Sequence, residues 1–178
     1  MIPVRLARSD DAPAIVALVN SAYRGDSSRV GWTTEADLLG GQRTDEIAIR
    51  DFLAGAPQQR MLLSEDLEGS LQACVQLQNR GDHAYLGMLT IRPTLQASGL
   101  GRALLASAEH DVRAAWGSSR MVMTVIEQRD ELIAWYERRG YARTGEKAAF
   151  PYGDPRFGEP KRPDLRFVVL AKDLSAAP

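Results

Sequence analysis

Between Tyr85 and Trp116 the hydrophobic period changes once, from strand to helix, across a proline and two glycines. Tyr85 to Ile91 reads as a strand, and Pro93, which has no N–H to give a sheet ladder, ends it. Leu100, Leu104, Leu105, Ala108, Val112, Ala115 and Trp116 fall on one helical stripe, predicting a helix over 100–116 with Gly117 as its C-cap. Between them lies Gln96-Ala97-Ser98-Gly99-Leu100-Gly101. The first-turn amides of a helix have no intrahelical partner and carry the positive end of its dipole. Glycines there let bare backbone approach an anion, most often a phosphate. The same Gly-x-Gly also serves as a plain tight connection. A P-loop would need Lys and Ser/Thr after its last glycine, where Arg102-Ala103 stand. A dinucleotide fingerprint would need a small residue at Leu104.

The flanking chain narrows the architecture. Arg60 to Glu65 is a short strand, Leu71 to Gln78 alternates apolar and polar, and Asn79 to Asp82 is a turn. With Tyr85–Ile91 these form an antiparallel meander, unlike a doubly wound nucleotide fold. Met121 to Ile126 reads as a buried strand, parallel to Tyr85–Ile91 through a right-handed crossover. Pro3 to Leu6 is a first strand, and a helix follows over about 11–23, capped by Ser9 or Asp10. Arg24 to Thr34 is irregular; Thr33 or Thr34 caps a second helix through Leu39, and a third piece covers Thr44 to Leu53. Asp130 to Arg139 is a helix stopped by Gly140, and Tyr141 to Lys147 a strand. Four prolines preclude regular structure across Ala148 to Asp164, before a last strand over Leu165 to Leu170 and fraying from Ser175.

The 178 residues suit one domain, 1–178. A net charge of −1 gives no field to attract nucleic acid or an anionic membrane, so neither partner is expected. The cations from Arg138 to Arg166 are mixed with acids and read as solvated surface. A lone Cys74 excludes an internal disulfide and any multi-cysteine metal site, and His83 and His110 lack ligand spacing; no metal is expected. Without a secretory-type start or a run of about 18 apolar residues, the expected location is the cytoplasm.

Leu89-x-Ile91-x-Pro93-x-x-Gln96-x-x-Gly99-x-Gly101 resembles motif A of the GCN5-related N-acetyltransferase (GNAT) superfamily. Val4-Arg5-Leu6-Ala7, followed by Asp10-Asp11, is similar to that family's opening strand. Its motif B, Asn-x-x-Ala-x-x-x-Tyr-x-x-x-Gly-Phe, is matched at Tyr136, Gly140 and Tyr141, with Arg129 at the Asn position and Leu132 at the small-residue position. The resemblance implies a single-domain α/β acyl-CoA N-acyltransferase fold of α+β type, a mixed, mainly antiparallel sheet flanked by helices. It implies acetyl-CoA as co-substrate, its pyrophosphate on the amides of Gln96, Ala97, Ser98, Gly99, Leu100, Gly101 and Arg102. It further implies a pantetheine arm beside Leu89 and Ile91, where two parallel strands splay.

Acetyl transfer to an amine needs a polarised thioester carbonyl, a neutral amine and a proton for the departing thiolate. Backbone donors near Met88 to Thr90 suit the first. Glu127, just past the buried strand, and then Glu35 are the candidates to deprotonate the amine, although Glu127 equally reads as a surface or capping acid. Tyr136 suits the third, and the resemblance gives it the general-acid role. The segment over about 24–57 is expected to shape the acceptor site, with Tyr23, Trp32, Glu35 and Arg43 as candidates. The proline-rich loop over about 148–164 adds Tyr152, Phe150, Phe157 and Lys161 or Arg162, either as a wall of that site or as a surface excursion. The expected activity is transfer of acetyl to a small-molecule primary amine in a ternary complex. A silent acyl-CoA-binding module and a protein acetyltransferase are the rivals, and a homodimer is compatible with either.

Overall fold

The computed structural model describes residues 2–175. Of the fraying expected over 175–178, positions 176–178 lie outside them, while Ser175 is held by its N–H donating to Asp173 Oδ1 at 2.8 Å. In chain order the elements are β1 (Arg5–Leu6), α1 (Ala12–Tyr23), β2 (Leu39–Gly40), α2 (Glu46–Leu53), β3 (Gln59–Glu65), β4 (Leu71–Asn79), β5 (Ala84–Ile91), α3 (Leu100–Trp116), β6 (Arg120–Ile126), α4 (Asp130–Glu137), β7 (Ala142–Ala149), β8 (Glu159–Pro160) and β9 (Arg166–Asp173). Seven strands form one sheet in the order β1-β3-β4-β5-β6-β9-β7, antiparallel except for β5 and β6. The expected mixed, mainly antiparallel sheet flanked by helices is what the chain forms.

Two apolar cores hold the helices to the sheet. Leu104, Leu105, Ala108 and Val112 of α3 pack with Leu77, Leu86, Met121, Met123 and Leu170, all buried. Ile15, Leu18, Val19 and Ala22 of α1 pack with Met61, Leu63 and Cys74, opposite the first core because side chains alternate along β3 and β4. Burial there pushes the Cys74 thiol up to about 12, which leaves it a packed apolar group.

Four local expectations need correction. Neither Ser9 nor Asp10 caps α1; a single 3-10 turn leads in, and the Asp11 carboxylate is held by Arg5 at 2.8 Å through both oxygens. Residues 26–30 are a short 3-10 turn rather than irregular chain. No helix forms from Thr33 to Leu39: one turn closes through Leu39 N to Glu35 O at 2.8 Å, and the chain then extends into β2. The proline-rich segment is not free of regular structure, because β2 pairs with β8, Leu39 opposite Pro160. Pro160 is tolerated because a two-residue edge strand can spare one donor.

The pairing of β5 with β6 is short. Only Ala84 opposite Met121 and Tyr85 opposite Val122 are in register, after which the strands diverge. On its other side β5 pairs with β4 and carries a bulge. Gly87 faces Gln76 and Thr90 faces Cys74, so Met88 and Leu89 together oppose Val75. Met88 takes φ +50°, the strained conformation that this bulge imposes.

Candidate active site

The helix start behaves as its glycines suggest. Gly99 sits at φ +92°, which a residue with a Cβ rarely adopts, and it turns the chain into α3. The amides of Gly99, Gly101 and Arg102 have no protein acceptor among the described residues, the first intrahelical bond being Ala103 N to Gly99 O at 3.1 Å. A cavity of about 620 Å³ opens there, walled by Gln96, Ala97, Gly99, Gly101 and Arg102, by Leu89 and Ile91 of β5, and by α4. Ser98 and Leu100, also expected at the loop, do not line it: Ser98 Oγ turns back to Leu95 O at 2.6 Å, and Leu100 packs against the core.

Three guanidinium groups gather on this wall. Arg102, Arg138 and Arg139 line the cavity together with Arg129, and Glu131 is the one acid among its lining residues. Arg139 lies flat on Trp135, 3.6 Å from the ring centroid. Burial first, then Arg138 and Arg102, lower the pKa of Arg139. Its Nε is buried without a partner. Such crowding of like charge is costly in the free protein and suits a polyanion such as the phosphates of a coenzyme. Arg138 and Arg139 therefore belong to the site rather than to the solvated surface expected from their sequence. Trp135 was missed as well; it stacks edge-on with Tyr136 at 5.0 Å and lies 6.3 Å from Trp32.

A second, smaller cavity of about 140 Å³ fills the seam where β5 and β6 diverge. Its wall includes Gly87 to Leu89, Met123 to Ile126, and Phe150, Phe157 and Phe167, with Arg24, Glu35 and Arg43 from the 24–57 segment and its edge. Tyr23, Leu89, Arg129, Leu132 and Tyr136 line both cavities. Tyr136 is 5% exposed, and its hydroxyl makes no hydrogen bond to another described residue. Burial, then Tyr23, raises the pKa of this phenol beyond its usual value, so it stays protonated. Tyr141 of the same motif faces away, donating to Glu109 at 3.0 Å. The Tyr23 hydroxyl is committed to Leu89 O at 2.6 Å, and burial raises its pKa also.

Side-chain clamps join the 24–57 segment to the glycine loop. Gln96 Oε1 accepts from Trp32 N at 2.8 Å and Thr33 N at 3.1 Å, while its Nε2 donates to Thr33 Oγ1 at 2.8 Å and Ile91 O at 3.2 Å. A Cβ on Gly31 would stand 2.4 Å from the Gln96 carboxamide oxygen, so any larger residue there would push the Gln96 side chain out of this clamp. Arg129 donates to Glu35 Oε1 at 2.9 Å and Thr33 O at 2.5 Å, which gives the substituted motif-B position a use. Arg24 holds the other oxygen of Glu35. Burial alone would raise the pKa of Glu35, but Arg129, Arg43 and Arg24 outweigh it, and the carboxyl lies below the ordinary carboxylate value.

Several expected site residues stand elsewhere. Glu127 lines neither cavity: it points from the far end of β6 to Lys147 at 2.5 Å and Arg166 at 3.0 Å, and the Lys147 hydrogen bond in particular lowers its pKa. Tyr152 is half-exposed and lines neither cavity; its hydroxyl donates to Arg162 O at 2.9 Å and accepts from Leu165 N at 2.7 Å. Trp32 faces the larger cavity instead of the smaller. Lys161 reaches across to Ala36 O and ties the proline-rich loop to the 24–57 segment, while Arg162 pairs with Asp164 within its own loop. Of the proline-rich loop, Phe150 and Phe157 do wall the smaller cavity.

A sequence model of the acetyltransferase (GNAT) family matches residues 18–141, more than two thirds of the chain. A search of curated proteins gives no match. Among solved structures, the ribosomal-protein-S18-alanine N-acetyltransferase from Escherichia coli is similar, at TM-score 0.70 and 18% identity over 100% of this chain and 97% of that one. So is a nourseothricin acetyltransferase, at TM-score 0.68 and 17% identity over 97% of this chain and 98% of that one. Naa20 from Chaetomium thermophilum, in complex with a bisubstrate analogue, gives TM-score 0.68 and 19% identity over 97% of this chain and 86% of that one. Identities this low show a shared fold. The family match itself runs through α1, the meander, the glycine loop and α4 up to Tyr141, and the chain belongs to the acetyltransferase (GNAT) family, whose members use acetyl-CoA as co-substrate.

Proposed function

We propose that this chain transfers an acetyl group from acetyl-CoA to a primary amine of a small molecule, by direct attack in a ternary complex. The observation that carries this reading is the meeting of two cavities at Tyr136, one at the anion-friendly start of α3 and one in the β5–β6 seam. Acetyl-CoA supplies the acetyl group as an activated thioester. The free amides of Gly99, Gly101 and Arg102, with Arg138 and Arg139, hold its phosphates. The bulge at Met88–Leu89 frees backbone donors to face the thioester oxygen. The amine nitrogen bonds to the carbonyl carbon and becomes positively charged, the carbon–sulfur bond breaks, and the Tyr136 hydroxyl gives its proton to the thiolate. The phenolate takes back the proton that the acylated nitrogen sheds, so the amide and the thiol leave neutral and Tyr136 is restored.

No carboxylate base enters this scheme. Both oxygens of Glu35 are taken by Arg24 and Arg129, and both of Glu127 by Lys147 and Arg166. The cationic wall around the acceptor favours the neutral amine instead. A small acceptor is supported by the size of the seam cavity, about 140 Å³, where Phe150 and Phe157 stand beside the β2–β8 ribbon. A protein chain would need an open groove there. The test is thiol release from acetyl-CoA against a panel of amines, polyamines, amino acids and peptides. Release with small amines is expected, and release with peptides alone would overturn the small-acceptor reading.

A further inference from the structure

The charge on the wall of the seam cavity does not balance. Arg24, Arg43 and Arg129 line it against a single acid, Glu35. Glu35 is already spent, one oxygen on Arg24 and the other on Arg129. Arg24 is 5% exposed, yet its Nε and Nη2 are buried without a partner. Arg43 is half-buried over the Tyr23 ring, 5.9 Å from its centroid, and its guanidinium makes no hydrogen bond or ion pair with another described residue. Buried donors without acceptors are unfavourable and rare in folded proteins. An excess of guanidinium with free N–H groups matches a planar oxyanion. Around it the wall is apolar and aromatic, with Phe150, Phe157 and Phe167.

We propose that the acceptor is a small amine that also carries a carboxylate, on an apolar or aromatic body, and that Arg43 binds that carboxylate while Arg24 adds positive potential behind it. This rests on the acetyltransferase reading above and names its acceptor class. The carboxylate then meets the cationic wall, the amine on the neighbouring carbon turns toward Tyr136, and the apolar body lies against the aromatic wall. Polyamines fit badly, because each further ammonium enters a wall that already carries two unbalanced positive charges.

Matched probes test this with the full chain: L-leucine against isoamylamine, L-phenylalanine against 2-phenylethylamine, and spermidine. Thiol release from acetyl-CoA gives kcat/KM, and calorimetry on the coenzyme A complex gives binding without turnover. The amino acids are expected to exceed their decarboxylated partners by about tenfold or more, the scale of one charge-assisted contact. Arg43→Gln is expected to remove that preference by raising KM for the amino acids alone, and Arg43→Lys to restore part of it. Arg43 makes no side-chain hydrogen bond but helps keep the Glu35 carboxyl charged, so the melt of each variant is recorded and Arg43→Lys, which keeps that charge, should melt with the parent. Equal or better use of the decarboxylated amines or of spermidine, or an Arg43→Gln loss shared equally by both members of a pair, overturns the proposal. Should no amine release thiol, the acetyltransferase reading fails, and calorimetry still decides the site. Binding of the amino acids that Arg43→Gln abolishes upholds it, and binding without preference for the carboxylate rejects it.

Discussion

Arg129 Nη1 lies 2.9 Å from Glu35 Oε1, tying the start of α4 to a turn that precedes it by 94 residues. Both side chains are almost fully buried, at 9% and 8% exposure. Removing one partner of a buried pair leaves the other charge uncompensated, which costs about 3 to 5 kcal/mol. Glu35→Gln should therefore lower unfolding stability by about 3 kcal/mol at neutral pH, read by urea denaturation. An unchanged midpoint would show that Arg24 and Arg129 do not depend on this carboxylate.

The same group gives a pH dependence of known sign. In the folded chain the Glu35 carboxyl lies below its ordinary value, so as pH falls the unfolded chain takes up the proton first. Its stabilisation is complete above the unfolded value of about 4.3 and is lost as pH falls through the folded one. The gap between parent and Glu35→Gln should narrow below about pH 4. Parallel stability curves down to acid unfolding would contradict this.

Tyr136→Phe removes a hydroxyl that bonds no other described residue, so stability should hardly change while kcat drops by about 100-fold or more. Because the phenol's pKa is raised, ionisation of Tyr136 should not limit the rate of the parent below about pH 10. A rate that falls between neutrality and that pH without a change in amine protonation would argue against this residue as the proton donor.

The Arg102, Arg138 and Arg139 group should make coenzyme binding salt-sensitive, since exposed charges are screened over about 8 Å at physiological ionic strength. Arg138→Ala should weaken acetyl-CoA binding and flatten its salt dependence, with amine KM little altered. Calorimetry at two salt concentrations gives both quantities. The free protein should also melt higher as salt rises, because the repulsion among the three is screened.

Gln96→Ala should loosen the acceptor-side segment without unfolding the chain. Two backbone donors, Trp32 N and Thr33 N, lose their acceptor, at about 1 kcal/mol each. Faster hydrogen exchange over residues 31–35 and a higher KM for both substrates are expected. Exchange unchanged there would mean that Arg129 alone holds the segment.

The side of this site at the glycine loop is legible in the sequence because its demands are local. Gly99 needs a positive φ, Pro93 stops a strand, and Tyr136 falls in register seven residues after Arg129 on one short helix. The acceptor side depends on distant partners. Nothing near Glu35 in sequence indicates that Arg24 and Arg129 will close on it. Glu127 reads well because it follows a buried strand, but the strand's last turn directs it toward Lys147 and Arg166. Arg138 and Arg139 look like ordinary surface charge until α4 is laid beside α3. The β2–β8 ribbon is two residues long on each side and contains a proline, below what any periodicity can reveal.

Only two residue pairs join β5 to β6, so the sheet is close to being two half-sheets held by a short stitch. One half carries α1 and the meander, and the other carries β6, β9 and β7. A ligand lying in the gap supplies the missing rungs and binds the folded chain alone, which raises stability by about 2.7 kcal/mol at a hundred times its dissociation constant. On the binding mode proposed above, coenzyme A would be mortar as well as reagent. Each turnover would then take it away and replace it, and the chain would pass through its weakest state between one reaction and the next.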